Sequence, residues 1–275
     1  MPDRPRIDKL RTSFGSVRER VMMKATVNRT FRKVGLQISR VPRENAEYVA
    51  QPVSDQPEWI NDIIQHVRPF TMTSGERIAA LCQTIAYVEK NNITGDIVEC
   101  GVWRGGSMMA AALTLLHLQK TRALYLFDTF AGMNPPTDSD VELSSGTLAR
   151  ELLQASDRKS RYWGIASLDD VEANMGATGY PPYLIHYIRG NVEDTIPQTL
   201  PQRIAILRLD TDWYESTQHE LKHLWPSLAS GGIMIIDDYG YWLGQQKAVD
   251  EFCDGLDVPI FLNRIDTIAR LVVKP

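Results

Sequence analysis

The chain has 275 residues, 43% hydrophobic and 23% charged, with a formal charge of −4. It is long enough to bury a substantial core, and that charge argues against a nucleic-acid-binding role. No apolar run approaches the roughly 18 residues of a membrane span, and the start MPDRPRIDKLRTSFGSVRER lacks the apolar stretch of a secretory signal, so a cytoplasmic protein is expected.

The average charge hides an asymmetry. Residues 1–44 hold 12 Lys and Arg against 4 Asp and Glu, and VRERVMMKATVNRTFRKVGLQISRV (17–41) combines helical apolar spacing with a basic face. Such a helix packs on its own domain or a second subunit, or rests on the anionic inner face of a membrane. With the Pro-dotted linker VPRENAEYVAQPVSDQP (41–57) it makes a basic helical N-terminal arm, residues 1–57, ahead of a domain spanning 58–275.

Within that domain ERIAALCQTIAYVEKN reads as a helix, and DIVEC (96–100) as a strand turning through GVWRGG into the helix SMMAAALTLLHLQ. ALYLF is a strand ending at Asp128. Residues 129–182 are rich in Pro, Asp, Ser and Gly around two helical pieces, TLARELLQ and SLDDVEANM, and read as a lid and acceptor-selecting surface. Asp138, Asp140 and Glu142 there read first as solvated loop acids, or else as facing a polar acceptor. YLIHYIRG and RIAILRLD are strands, YESTQHELKHLWPSLA a helix, GGIMIIDD a strand and QQKAVDEFCDGL a helix. The end, PIFLNRIDTIARLVVKP, reads as two strands with a tight turn. Short apolar strands alternating with helices specify a parallel sheet covered on both faces. Five of them plus the terminal hairpin give a doubly wound, Rossmann-like α/β sheet of seven strands, the inventory of the class I methyltransferase fold.

Three cysteines, Cys82, Cys100 and Cys253, are too few and scattered for a disulfide framework or a structural zinc; each reads as a small buried hydrophobe. QHELKHL carries the H-E-x-x-H spacing of zinc peptidases at His219, Glu220 and His223. A helical wheel puts Tyr214, Thr217, Leu221, Leu224, Trp225 and Leu228 on the apolar stripe, with the histidines away from it, so a solvated helix face is expected.

In such sheets ligands bind at the carboxyl ends of the strands. VECGVWRGGS places Glu99 at a strand end, Gly101 in the turn, and Gly105, Gly106 and Ser107 at the opening of a helix. Glycines admit close backbone approach, and a helix start favours an anionic group. Asp128, ending the next strand, suits ribose hydroxyls, and Glu99 suits a cationic amino group. Ribose, carboxylate and ammonium together describe S-adenosylmethionine. A nicotinamide cofactor fits the glycine spacing poorly.

Asp210 ends the fourth strand, with Asp212 two residues beyond, and Asp237 and Asp238 end the fifth. Neighbouring strand ends lie about 4.8 Å apart, so the carboxylates converge. Without a cation they repel until one protonates, and a hard divalent cation such as Mg²⁺ resolves the conflict. Asp212 reads as a base near that metal, as a helix N-cap, or as both. D-x-D alone also suits a glycosyltransferase.

The segments VECGVWRGGS, LFDTFAGM, LRLDTDWYEST, GGIMIIDDYG and AVDEF, in this order, resemble the macrocin O-methyltransferase (TylF) family of metal-dependent sugar O-methyltransferases, across about residues 68–273. The resemblance implies that Asp210, Asp237 and Asp238 ligate Mg²⁺ and that Asp212 deprotonates a sugar hydroxyl. It implies that Glu99, Gly101, Asp128, Thr71 and Met72 bind S-adenosylmethionine, with Gly190 and Asp194 near the adenine. It also implies a homo-oligomer and a sugar acceptor: a natural-product glycoside, a nucleotide sugar or a glycan. The alternatives are a catechol-type O-methyltransferase, which carries an Asp-Asn arrangement where this chain has Asp237 and Asp238, a D-x-D glycosyltransferase, or a non-catalytic scaffold.

Overall fold

The computed structural model describes residues 51–158 and 160–275. The basic segment 17–41 and most of the linker lie outside the described residues. What begins inside them is already tied down: Val53 N donates to Asn61 Oδ1 at 2.8 Å, and Val53 packs against the core.

Helix α1, Glu58–Val67, has no counterpart in the sequence reading. Ile60, Ile63, Ile64 and Val67 recur at helical spacing and are buried, each contributing about 1.5–3 kcal/mol of transfer free energy. Helix α2, Gly75–Lys90, starts at Ser74, whose side chain accepts from Arg77 N. Strand β1, Asp96–Cys100, leads into α3, Gly106–His117, and β2 is Leu124–Asp128. Helix α4, Ala149–Ala155, and helix α5, Leu168–Ala177, precede β3, Ile185–Arg189. A short α6, Val192–Thr195, comes before β4, Ile204–Leu209. Then come α7, Tyr214–Leu224, β5, Leu228–Ile236, α8, Leu243–Asp254, and the hairpin β6, Asn263–Arg264, with β7, Arg270–Val273.

The sheet order is β3-β2-β1-β4-β5-β7-β6. Pairing is parallel from β3 to β5 and antiparallel for β7, the seven-stranded class I methyltransferase arrangement. The chain winds outward through β1, β2 and β3, then returns to lay β4 beside β1. The β1/β4 boundary is therefore the switch point, where a crevice opens at the strand ends.

Alternate residues of each strand feed opposite cores. Ile97, Leu126, Ile206 and Ile235 pack with α1, α2, α3 and α5, while Val98, Phe127, Leu207 and Ile236 pack with α7 and α8. Because both faces are covered, the strands read as unbroken apolar runs.

One boundary changes. Val171 and Met175 of α5 are fully buried against the first core, so SLDDVEANM is the crossover helix between β2 and β3 and the irregular segment ends near residue 167. Cys82 and Cys100 are buried as expected, but Cys253 is only half-buried. Among the described residues no helix is long and apolar enough to cross a membrane.

Candidate active site

The glycine turn is built by backbone packing. Gly101 has φ +82°, and a Cβ there would lie 2.1 Å from the carbonyl oxygen of Asp210. Only glycine lets the β1 turn sit this close to the end of β4. Gly105 takes φ +84° at the N-cap of α3, but its missing Cβ faces Val171 and Met175, away from the crevice. Gly106 and Ser107 line the cavity.

Asp128 lines the cavity and also clamps the turn. Its Oδ2 accepts from Val102 N at 2.8 Å and Trp103 N at 3.1 Å, and its Oδ1 from Phe130 N at 2.7 Å. Burial pushes this carboxyl up, and those three amides pull it back. Trp103, Phe130 and Asp212 are non-glycine residues in the left-handed region, at φ +47°, +51° and +68°. All three follow strand ends at the crevice, where strained backbone concentrates at functional sites.

A cavity runs from this turn to the irregular segment, and Thr71, Met72, Gly101, Ser107, Asp128 and Gly190 line it. Asp210, Asp212, Asp237 and Asp238 line the same cavity. Glu99 and Asp194, expected at the cofactor, are placed differently. Glu99 is 1% exposed and ion-paired with Arg208, and Asp194 is exposed on α6, its carboxylate accepting from Asn191 Nδ2 at 3.2 Å. Gly190, Asn191 and Val192, just before Asp194 in the chain, line the cavity. Glycine backbone, a helix start, an acidic strand end and apolar Phe127 and Val192 together suit a nucleoside joined to an amino acid.

One carboxylate oxygen each from Asp210, Asp237 and Asp238 lies within 4.8 Å of the others. Two buried arginines, absent from the sequence reading, share this cluster. Arg208 reaches Asp210 Oδ2 and Asp237 Oδ1, each at 2.6 Å, and also pairs with Glu99. Arg77 Nη1 meets Asp237 Oδ2 at 2.7 Å, and its Nε meets Asp266 Oδ2 at 2.8 Å. The signal was visible: an arginine inside an apolar strand requires a buried acid. Part of the charge that balances these carboxylates is therefore built into the chain, beside whatever a cation would add.

The donor set still fits a hard divalent cation. The two guanidiniums pair with Glu99, Asp210, Asp237 and Asp266, leaving Asp238 and the neighbouring Asp212 without a paired arginine among the described residues. Burial pushes the Asp237 carboxyl up, but Arg208 and Arg77 outweigh it and hold the group below the usual range. Asp238 stays well above that range, through burial and then Asp212 and Asp237. Its backbone N–H is fixed by Gln245 Oε1 at 2.8 Å. Asp212 is pushed by burial up to about 7, against a hydrogen bond with Asp238. Asp212 is half-buried and lines the cavity beside the three-carboxylate cluster, within reach of a bound acceptor.

Two other expectations change. Asp212 does not cap α7: Tyr214 N donates 2.8 Å to Asp140 Oδ1. Asp140 is fully buried and also accepts from Thr137 N and Oγ1, while Glu142 accepts from Tyr241 OH at 2.7 Å. These two acids fasten the irregular segment to the domain; only Asp138 is exposed, paired with Arg150. On α7 the buried row is Ser216, Thr217, Glu220, Leu221 and Leu224, displaced from the expected stripe. His219 and His223 are half-buried, with His219 Nε2 hydrogen-bonded to Ile196 O at 2.9 Å. Glu220, expected in solvent, is fully buried.

A family model described as Macrocin-O-methyltransferase (TylF) matches residues 16–273. The 8-demethyl-8-(2,3-dimethoxy-alpha-L-rhamnosyl)-tetracenomycin-C 4'-O-methyltransferase of Streptomyces olivaceus is 34% identical over 172 residues, 62% of this chain and 62% of that protein. The demethyldecarbamoylnovobiocin O-methyltransferase of Streptomyces niveus is 30% identical over 197 residues, 71% of this chain and 72% of that one. The solved structure of the O-methyltransferase NovP is 29% identical with a TM-score of 0.64, covering 74% of this chain and 82% of its own. The chain thus spans 62% of the length of the first of these relatives.

Proposed function

We propose, from the premise that the chain belongs to the macrocin-O-methyltransferase (TylF) family, that it transfers a methyl group from S-adenosylmethionine to a sugar hydroxyl of a natural-product glycoside, with Mg²⁺ assisting. The observation that carries this reading is that Asp210, Asp212, Asp237 and Asp238 line one cavity together with the β1 glycine turn. Relatives named for a rhamnosyl tetracenomycin and for demethyldecarbamoylnovobiocin make such compounds the first acceptors to try.

In this reading Thr71, Met72, Gly101, Ser107, Asp128 and Gly190 border the cofactor, whose sulfonium supplies an electrophilic methyl group. Asp210, Asp237 and Asp238 would hold Mg²⁺, which supplies Lewis acidity that favours a deprotonated hydroxyl. Arg208 and Arg77 keep Asp210 and Asp237 aimed at that point. Asp212 takes the acceptor's proton. The segment 129–167, with Tyr162 beside Trp213, Tyr241 and Trp242 along the cavity, excludes water and selects the acceptor. The crevice contributes mainly by holding the reacting atoms in line.

The test is a panel of desmethyl glycosides, including the two named for the relatives, incubated with S-adenosylmethionine and Mg²⁺ and read by mass spectrometry. One added methyl group on the sugar is expected. No methylated glycoside, with tight nucleotide-sugar binding and no binding of S-adenosylhomocysteine, would sink the reading. Membrane contact was expected of the basic segment 17–41, which lies outside the described residues.

A further inference from the structure

Glu220 is the residue of the H-E-x-x-H spacing that no zinc site absorbs. It occupies the core-facing row of α7 between Thr217 and Leu221 and Leu224 and is 0% exposed. A leucine would fill that row without the desolvation that a carboxyl suffers there. Its Oε1 accepts from Thr211 Oγ1 at 2.9 Å, the weakly donating Cys100 thiol lies against the same carboxyl, and its Oε2 has no N–H or O–H partner among the described residues. A half-satisfied buried carboxyl calls for a reason outside packing.

The reason lies in what Thr211 holds. Thr211 sits between Asp210 and Asp212, and all three line the cavity. Asp212 takes φ +68°, which a non-glycine residue keeps only where its surroundings over-determine it. The Thr211 carbonyl accepts from Trp213 N at 2.8 Å, closing the turn on its far side. Asp210 N is fixed to Cys100 O at 2.9 Å on the near side. Ser216 Oγ also donates to the Thr211 carbonyl at 3.5 Å, and the hydroxyl of Thr211 is a further handle, donating down to Glu220.

We propose that Glu220 is a positioning residue for the Asp210–Asp212 turn: its grip on Thr211 fixes the left-handed backbone at Asp212 and so aims the two carboxylates that flank it. This rests on the reading of Asp212 as the base, but its test is separate. Glu220 touches neither cofactor nor acceptor and acts through Thr211.

Three full-length variants decide it by crystal structure: Glu220→Leu, Thr211→Val, which keeps the side chain's shape should the first not fold, and Glu220→Gln, which keeps an oxygen acceptor. In Glu220→Leu and Thr211→Val, Asp212 leaves the left-handed region and its carboxyl separates from Asp238; in Glu220→Gln the turn is retained. Turnover of a panel glycoside follows the turn, with kcat falling about tenfold in the first two variants and recovering in the third, at unchanged KM for S-adenosylmethionine. An Asp212 φ that stays left-handed in both Glu220→Leu and Thr211→Val overturns the proposal, whatever the activity. Turnover retained by Asp212→Asn would instead overturn the reading of the base and leave the geometry of the turn untouched.

Discussion

Arg77 Nη1 donates to Asp237 Oδ2 at 2.7 Å across 160 residues of chain, with each side chain 5% exposed. The same guanidinium holds Asp266 in the β6–β7 turn, so it ties α2, the end of β5 and the terminal hairpin together. Replacing it by Met leaves Asp266 and half of Asp237 without a counter-charge. Arg77→Met is expected to lower stability by about 3 kcal/mol, read from urea denaturation. A loss under about 1 kcal/mol would mean that Arg208 alone compensates Asp237.

Asp212→Asn keeps the shape and hydrogen-bonding reach of the side chain but cannot accept a proton. Methyl transfer is expected to fall by at least about 100-fold, while S-adenosylhomocysteine binds as tightly as in the wild type by calorimetry. Loss of both together would mark Asp212 as part of the cofactor site.

Because Arg77 and Arg208 already neutralise part of the acid cluster, chelation is an informative experiment. Treatment with EDTA is expected to abolish turnover and added Mg²⁺ to restore it, with the fold intact by circular dichroism. Full activity after rigorous chelation would assign the charge compensation to the two guanidiniums alone.

The buried carboxyl of Glu220 gives a pH signature. Burial holds it well above the ordinary range, opposed by the hydrogen bond from Thr211. The folded chain therefore keeps its proton at pH values where the unfolded chain, with a pKa of about 4.3, has released it. Stability then falls as pH rises from about 4 toward the folded value. Glu220→Gln removes that contribution, so its stability relative to the wild type is expected to be level near pH 4 and to grow toward neutrality, read from denaturant midpoints. A constant difference across the range would show Glu220 ionised in the fold.

The strands were legible in the sequence because a sheet covered on both faces writes itself as apolar runs, and the acids at their ends stood out against that background. Helix α1 was lost beside the Pro-dotted linker, although Ile60, Ile63, Ile64 and Val67 carry a clear period. Arg208 could have been found from the charge inside LRLD. Arg77 and Asp266 could not, since their partnership with Asp237 depends on how distant segments meet. The helical wheel for α7 missed Glu220 because a carboxylate was assigned to solvent by its chemistry, when its neighbours Ser216 and Thr217 are buried too. Asp140 and Glu142 were misjudged for the same reason: their partners, Tyr214 N and Tyr241 OH, come from far along the chain.

Asp140 has a second neighbour with practical weight. A Cβ at Gly244, in the first turn of α8, would lie 2.0 Å from Asp140 Oδ1, so the side chain that caps α7 also occupies the space a larger residue would need on α8. Segments exchanged between relatives to broaden acceptor range should therefore be cut outside this contact. A transplanted 133–167 loop that brings a bulkier residue to position 140, or a recipient with any side chain at position 244, would lose the root of the loop before its tip met a new acceptor.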